Sequence, residues 1–290
     1  MAVIKNFVSQ KAARAARAYE KEGNWRKVLE RRERADGRRA DTPMPLHESE
    51  AIILQSYPMG EGDRLVSFLS RGAGRMRGVA KGARRPKSRF GSTLERLSHV
   101  RIWYFERETR DLVRITQSEL IESFLDVFRE YESGVALAFL SEISEAVLPE
   151  HEALDAPFRL LLLAARAIKK SGKAAVPLAY FCLWTLKLAG WMPPLDSCVV
   201  CGREIGDEPA YVAASLNGLA CSKCRPASSR LLPKDALAIA RKMLNAKLEA
   251  LLDIDLPPLA LRELTAALLD WIEFQAEKKL ASRKLWEQKI

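Results

Sequence analysis

Residues 50–58, EAIILQSYP, are followed by GEGD at 60–63, RLVSFLS at 64–70, RGAG at 71–74 and RMRGVAKG at 75–82. Apolar runs of this length, cut by turns rich in glycine, are the signature of short strands joined by tight connections. SHVRIWYFER (98–107) and DLVRITQS (111–118) complete a set of five. Five strands in so short a stretch suit an OB-fold β-barrel over residues 46–122, an architecture used for binding single-stranded nucleic acid. The connection 81–97 is long for such a barrel and unusually basic.

Beyond Ile121 the period changes. Glu130–Leu148 carries Val135, Phe139, Ile143 and Val147 at helical spacing and stops at Pro149. Phe158–Lys170 and Leu178–Ala189 read as two further helices, and Pro233–Leu252 and Pro257–Leu285 as two more. Proline stands at or near several of these starts, where its missing N–H costs nothing. The expected fold class is therefore α+β: an N-terminal OB-fold β-barrel followed by an α-helical domain at 123–285, with a cysteine segment embedded in it.

That segment has the pattern C-x2-C-x19-C-x2-C, formed by Cys198, Cys201, Cys221 and Cys224. Each CxxC turn places two thiolates on one side of a tight loop. Two such turns make a tetrahedral sulfur set, which a zinc ion accepts without geometric strain. Four protein ligands leave no open coordination position, so the expected metal is one structural Zn2+ per chain. Lys223, Arg225 and Arg203 are candidates to offset the surplus thiolate charge. Disulfides or a redox CxxC are the alternatives, and neither accounts for two evenly built pairs in a reducing compartment. Cys182, within YFCLWTL, reads as a small buried apolar residue.

The chain of 290 residues has a formal net charge of +10, and the excess is uneven. The first 118 residues hold 26 Lys and Arg against 14 Asp and Glu, whereas the remaining 172 hold 21 against 23. Such asymmetry points to a polyanionic partner. The densest stretch contains Arg71, Arg75, Arg77, Lys81, Arg84, Arg85, Lys87 and Arg89 with no acidic residue, interleaved with Gly72, Gly74, Gly78, Gly82 and Pro86. Glycine lets backbone approach a phosphate closely, and arginine suits bidentate phosphate contact and stacking on bases. These eight are the candidate nucleic-acid-binding residues. Trp103, Tyr104 and Phe105 alternate faces of one strand, so about half must serve the core.

Residues 10–41 are rich in Ala, Arg, Lys and Glu. They form, with their neighbours, a basic N-terminal extension over 1–43, helical or disordered, and Met44 is an alternative start. No apolar run is long enough to span a membrane and no secretory leader is visible, so a cytoplasmic location is expected. Catalysis finds little support. The histidines are His47, His99 and His151, outside any metal-hydrolase pattern, and no GxxxxGK[ST] phosphate loop occurs. Glu61 and Asp63 are close in sequence, but nothing marks them as an acid/base pair.

The GEGD turn at Gly60–Asp63 and the run GVAKGARRPKSRF at Gly78–Phe90 closely resemble the start of the RecO family of bacterial DNA repair proteins. The helical region and four-cysteine element follow in the family order, so the resemblance covers roughly residues 46–285. It implies an OB fold, a helical domain and a zinc element that some members lack. It also implies a recombination mediator of the RecF pathway that binds single- and double-stranded DNA and anneals complementary strands. The implied protein partners are RecR and the single-strand binding protein SSB, with help in loading RecA. The implied setting is the bacterial cytoplasm at the nucleoid. No catalytic residue transfers, and the matching basic positions from Arg75 to Arg89 inherit a DNA-contact role. Taken without the resemblance, the residues also fit a zinc-containing RNA- or ribosome-binding protein, or a protein-interaction hub with secondary DNA contact.

Overall fold

Strand β1 (Leu46–Met59) organises the N-terminal half because it serves two neighbours. Its first part pairs antiparallel with β4 (His99–Phe105), and its second part pairs with β2 (Asp63–Ser70). The handover coincides with a register shift between Ile53 and Gln55. β2 continues antiparallel to β3 (Gly74–Ala80), and β4 pairs antiparallel with β5 (Val113–Glu122). The last ladder joins β3 to β5 in parallel over three residue pairs, Gly78–Val113 to Ala80–Ile115. The sheet is thus closed, in the order β1-β2-β3-β5-β4. The computed structural model describes residues 45–106, 112–213, 216 and 218–287. The expected basic extension over 1–43 lies outside the described residues.

Helices follow in sequence: α1 (Tyr131–Val147), α2 (Asp155–Ser171), α3 (Ala175–Leu188), α4 (Lys234–Asn245), α5 (Leu248–Leu252), α6 (Pro258–Gln275) and α7 (Ser282–Glu287). Pro157 and Pro177 sit inside the first turns of α2 and α3 and do not mark their starts; they are tolerated there because first-turn N–H groups have no intrahelical partner to lose. The single helices expected over 233–252 and 257–285 are each broken in two. Ala246 is extended, which turns Leu248 and Leu251 inward to full burial. The second break is held from a distance. The carboxylate of Glu142 on α1 accepts the N–H groups of Ala281 (2.6 Å) and Ser282 (3.0 Å) at the start of α7. Glu273 accepts the Leu280 N–H at 3.0 Å.

The expected architecture, an OB-fold barrel domain followed by a separate α-helical domain, requires correction. The period-2 geometry of β1 sends Ala51 and Ile53 to the inside of the sheet, with Val66, Phe68, Met76 and Tyr104. It sends Ile52 and Leu54 the other way, into one continuous core with Phe139, Leu161, Leu183, Leu237 and Leu268 of the helices. Ser141 of α1 donates to the carbonyl of Leu54. Residues Pro45–Ile290 cluster as one compact unit, so the sheet is not a free-standing barrel domain. The cysteine segment adds a second, antiparallel sheet of β6 (Ala210–Ala213), β7 (Gly218–Ala220) and β8 (Arg230–Leu232), in the order β7-β6-β8. No helix among the described residues is long and apolar enough to cross a membrane.

Candidate metal centre and nucleic-acid interface

The four predicted cysteines converge. The sulfurs of Cys198, Cys201, Cys221 and Cys224 all lie within 4.8 Å of one another. Cys201 Sγ and Cys221 Sγ are 3.9 Å apart. A tetrahedral site with metal–sulfur bonds of about 2.3 Å has edges of about 3.8 Å, so the Cys201–Cys221 pair already matches it and the whole set lies within about 1 Å of it. Both turns are preformed. Gly202 N–H donates to the Cys198 carbonyl at 2.8 Å, with Gly202 at a left-handed φ of +73°. Cys224 N–H donates to the Cys221 carbonyl at 3.0 Å. The first turn is tied to the second through Val199 N–H and the Leu219 carbonyl (2.9 Å). This approach is close: a Cβ on Gly218 would stand 2.2 Å from Val199 Cγ1. Only glycine permits the two turns to meet.

Electrostatics favour thiolate at one side of the cluster. Burial opposes ionisation of Cys198, but backbone N–H groups at Cys221, Cys201 and Val200 outweigh it and hold its thiol at about 6. At Cys221 burial is likewise outweighed, by the N–H groups of Lys223 and Cys224. Cys224 is pushed up to about 12 by sharing its proton with Cys221 and Cys201. Of the expected counter-charges, Arg203 ion-pairs with Glu208 at 2.6 Å and also feels Cys221. Arg225 lies over the Tyr211 ring at 4.8 Å. Cys182 is wholly buried on α3, and burial raises its thiol far above the ordinary range.

The eight basic candidates separate into two groups. Arg71, Arg75 and Arg77 join the sheet to the helical half. Arg71 contacts Asp155 at 2.9 Å and Glu50 at 3.3 Å. Arg75 donates through Nε to the Leu148 carbonyl at 2.8 Å and pairs with Glu150 at 2.9 Å. Its side chain is only 11% exposed, and desolvation lowers its pKa. Arg77 reaches the same Glu150 oxygen at 3.0 Å. The backbones meet here too, because a Cβ on Gly74 would stand 2.0 Å from the Glu152 carbonyl oxygen.

Lys81, Arg84, Arg85, Lys87 and Arg89 are all exposed, on one chain of consecutive turns after β3. None has an acidic partner among the described residues. The loop has a fixed path. Phe90 and Leu94 are buried inside the closed sheet and anchor it. Ala83, Arg85 and Ser88 donate their N–H groups back to Ala80, Gly82 and Arg85. The β1–β2 turn then grips it from the side. Gly82 N–H donates to Asp63 Oδ1 (2.8 Å), Arg84 N–H to the Gly62 carbonyl (3.0 Å) and Arg84 Nη1 to the Gly60 carbonyl (3.1 Å). Of the strand aromatics, Tyr104 is core, packed on Phe68. Trp103 is half-buried on the outer face and donates to Glu48 at 3.0 Å.

Comparison with known proteins bears on the whole described chain. Residues 44–124 match the family model for the recombination protein O N terminal, and residues 129–284 that for its C terminal. The chain belongs to the RecO family. A DNA repair protein RecO of Koribacter versatilis is 37% identical over 82% of this chain and 96% of the relative. One of Bifidobacterium longum is 33% identical over 83% and 99%, and one of an Anaeromyxobacter strain 28% over 82% and 94%. As a RecO family member the protein is a DNA-repair and recombination mediator and not an enzyme. The two stretches that carry the RecO resemblance, GEGD and the basic run, are one structural unit. Sequence reasoning did not identify Asp63 and Gly62 as supports of the basic loop. Nor did it identify Glu150, 73 to 75 positions from its arginines. The spacing between such partners carries no local signal.

Proposed function

We propose that this RecO family member binds single- and double-stranded DNA through the loop Lys81–Arg89. Lys81, Arg84, Arg85, Lys87 and Arg89 would contact phosphates, while Arg71, Arg75 and Arg77 brace the sheet against the helices. The observation that carries this reading is the absence of acidic partners, among the described residues, from five exposed cations on a loop of fixed path. Contacts of this kind bind backbone and not sequence, which suits a protein acting on any broken DNA. Bound cations lower the repulsion between two approaching strands, and annealing of complementary strands follows. Together with RecR the protein would help load RecA on SSB-coated DNA in the RecF pathway, in the bacterial cytoplasm. The four cysteines would hold one structural Zn2+, because sulfur donors and a closed tetrahedral set are the chemistry zinc accepts. They would leave no position for substrate.

The test is annealing of complementary strands precoated with SSB, with wild type and with Arg84, Arg85 and Lys87 replaced together by alanine. The triple variant is expected to bind DNA more weakly and to anneal slowly. Its dependence of log K on log salt should flatten by about 2, from about 0.7 per lost single-strand phosphate contact. Unchanged affinity and slope would overturn the loop assignment.

A further inference from the structure

We infer that Asp63 is the positioning residue of the DNA-contacting loop, acting through a hydrogen bond and against its own charge. The inference rests on the loop reading proposed above. A carboxylate among five phosphate-binding cations is electrostatically unfavourable for DNA, and its presence at the loop calls for a compensating role. The geometry supplies one. Asp63 opens β2, where its backbone is fixed by pairing with Met59. Its side chain reaches across to the next connection and accepts the N–H of Gly82 at 2.8 Å. Gly82 lies two residues past the end of β3, in the first turn of the loop, and has a φ of +72°. A left-handed residue at a strand exit decides the direction of everything after it.

Two further bonds repeat the register. Arg84 N–H meets the Gly62 carbonyl and Arg84 Nη1 meets the Gly60 carbonyl, at 3.0 and 3.1 Å. Arg85 Nε passes 3.5 Å from where a Cβ of Gly62 would stand, so the turn also supports that guanidinium. Gly60, with φ +59°, turns the chain so that its carbonyl and that of Gly62 face the loop. The turn therefore acts as a template: Asp63 sets the exit, the two glycine carbonyls set Arg84, and the Gly62 backbone supports Arg85. Glu61, on the same turn, is exposed and makes no such bond among the described residues, which makes it an internal control for charge alone.

Charge and hydrogen bonding predict opposite outcomes, so they can be separated. Asp63→Asn removes the charge and keeps an oxygen acceptor for Gly82. Asp63→Ala removes both. Positioning predicts that Asp63→Asn binds a single-stranded oligonucleotide as tightly as wild type or more tightly, as does Glu61→Gln. Asp63→Ala should bind about fivefold more weakly than Asp63→Asn, the effect of one lost hydrogen bond. A second measurement needs no DNA. Limited trypsin cleavage after Lys81, Arg84 and Lys87 in the folded protein should be faster in Asp63→Ala than in Asp63→Asn, and thermal melting reports whether each variant folds. Equal DNA affinity and equal cleavage in the two Asp63 variants would overturn the inference. Faster cleavage without weaker DNA binding would uphold the template and overturn the loop reading on which its function rests. If Asp63→Ala fails to fold where Asp63→Asn folds, the comparison passes to Asp63→Ser, whose shorter hydroxyl should give intermediate cleavage. Cleavage of the serine variant equal to that of Asp63→Asn would overturn the inference.

Discussion

Arg75 and Arg85 stand ten positions apart in the same basic run and live in different surroundings. Arg75 is nearly enclosed, with its Nε on the Leu148 carbonyl and a guanidinium nitrogen on Glu150. Removing it leaves the Leu148 carbonyl without this donor and a gap where its stem packed. Arg75→Ala is expected to lower stability by about 2 kcal/mol, the cost of a charged hydrogen bond lost in a half-dry site. Arg85→Ala should stay within about 0.5 kcal/mol of wild type, as exposed substitutions do. Urea unfolding of both variants checks the pair. Equal destabilisation would contradict the division of the run into bracing and binding groups. The sequence places Arg75 in a strand and Arg85 in the connection after it, but no local pattern shows which of them meets an acidic partner. Glu150, which separates their roles, arrives from beyond α1.

At the scale of the element, the cysteine segment puts Ala210, Val212, Leu219 and Leu232 of its short strands into the core shared with the helices. Its two CxxC turns are held by their meeting at Val199 and Gly218, and by what the four sulfurs bind. The natively expressed protein is expected to carry a single equivalent of zinc per chain. Chelation should lower the melting temperature and open the segment to trypsin at Arg203 and Lys223, and readdition of zinc should reverse both. Cys201→Ser should lose metal, although Cys201 is the exposed member of the set. A full equivalent retained in that variant would refute four-sulfur coordination. Here the sequence was readable in advance, because two CxxC turns encode their own geometry within a few residues. What spacing could not supply is the sheet between them, or the glycine that lets the turns approach.

Across the whole molecule, the contact between the closed sheet and the helices includes a titratable group. His99, on β4, is buried against the Phe158 ring of α2, with centroids 5.9 Å apart. Desolvation lowers its pKa; Glu50 and Glu122 oppose this, while Arg166 adds to it. Glu50 Oε2 lies 3.7 Å from the ring nitrogen Nε2. A histidine that is harder to protonate when folded binds fewer protons in the native than in the unfolded chain. Stability from this group is therefore complete above its unfolded value, near 6.5, and falls as pH drops through 6.5 toward the folded value. His99→Gln is expected to flatten that acid-side slope. Chemical denaturation between pH 5 and pH 8 measures it, and an unchanged slope would assign the pH dependence to other groups.

The sequence alone determined the strands and their turns, the helices in outline, the excess of positive charge in the first 118 residues and the four-sulfur set. All of these are local: a period of two or 3.6 residues, a glycine at a turn, a CxxC spacing. Tertiary structure alone decided that sheet and helices share a core, because β1 is buried on both faces and its alternation therefore shows no polar side. It decided which arginines pair with carboxylates and which have no acidic partner among the described residues, through Glu150, Asp155 and Glu50. It also broke the two long helices, where Glu142 caps α7 from 139 residues away. Contacts between residues so far apart depend on how elements pack, and packing is settled only when the whole chain has folded.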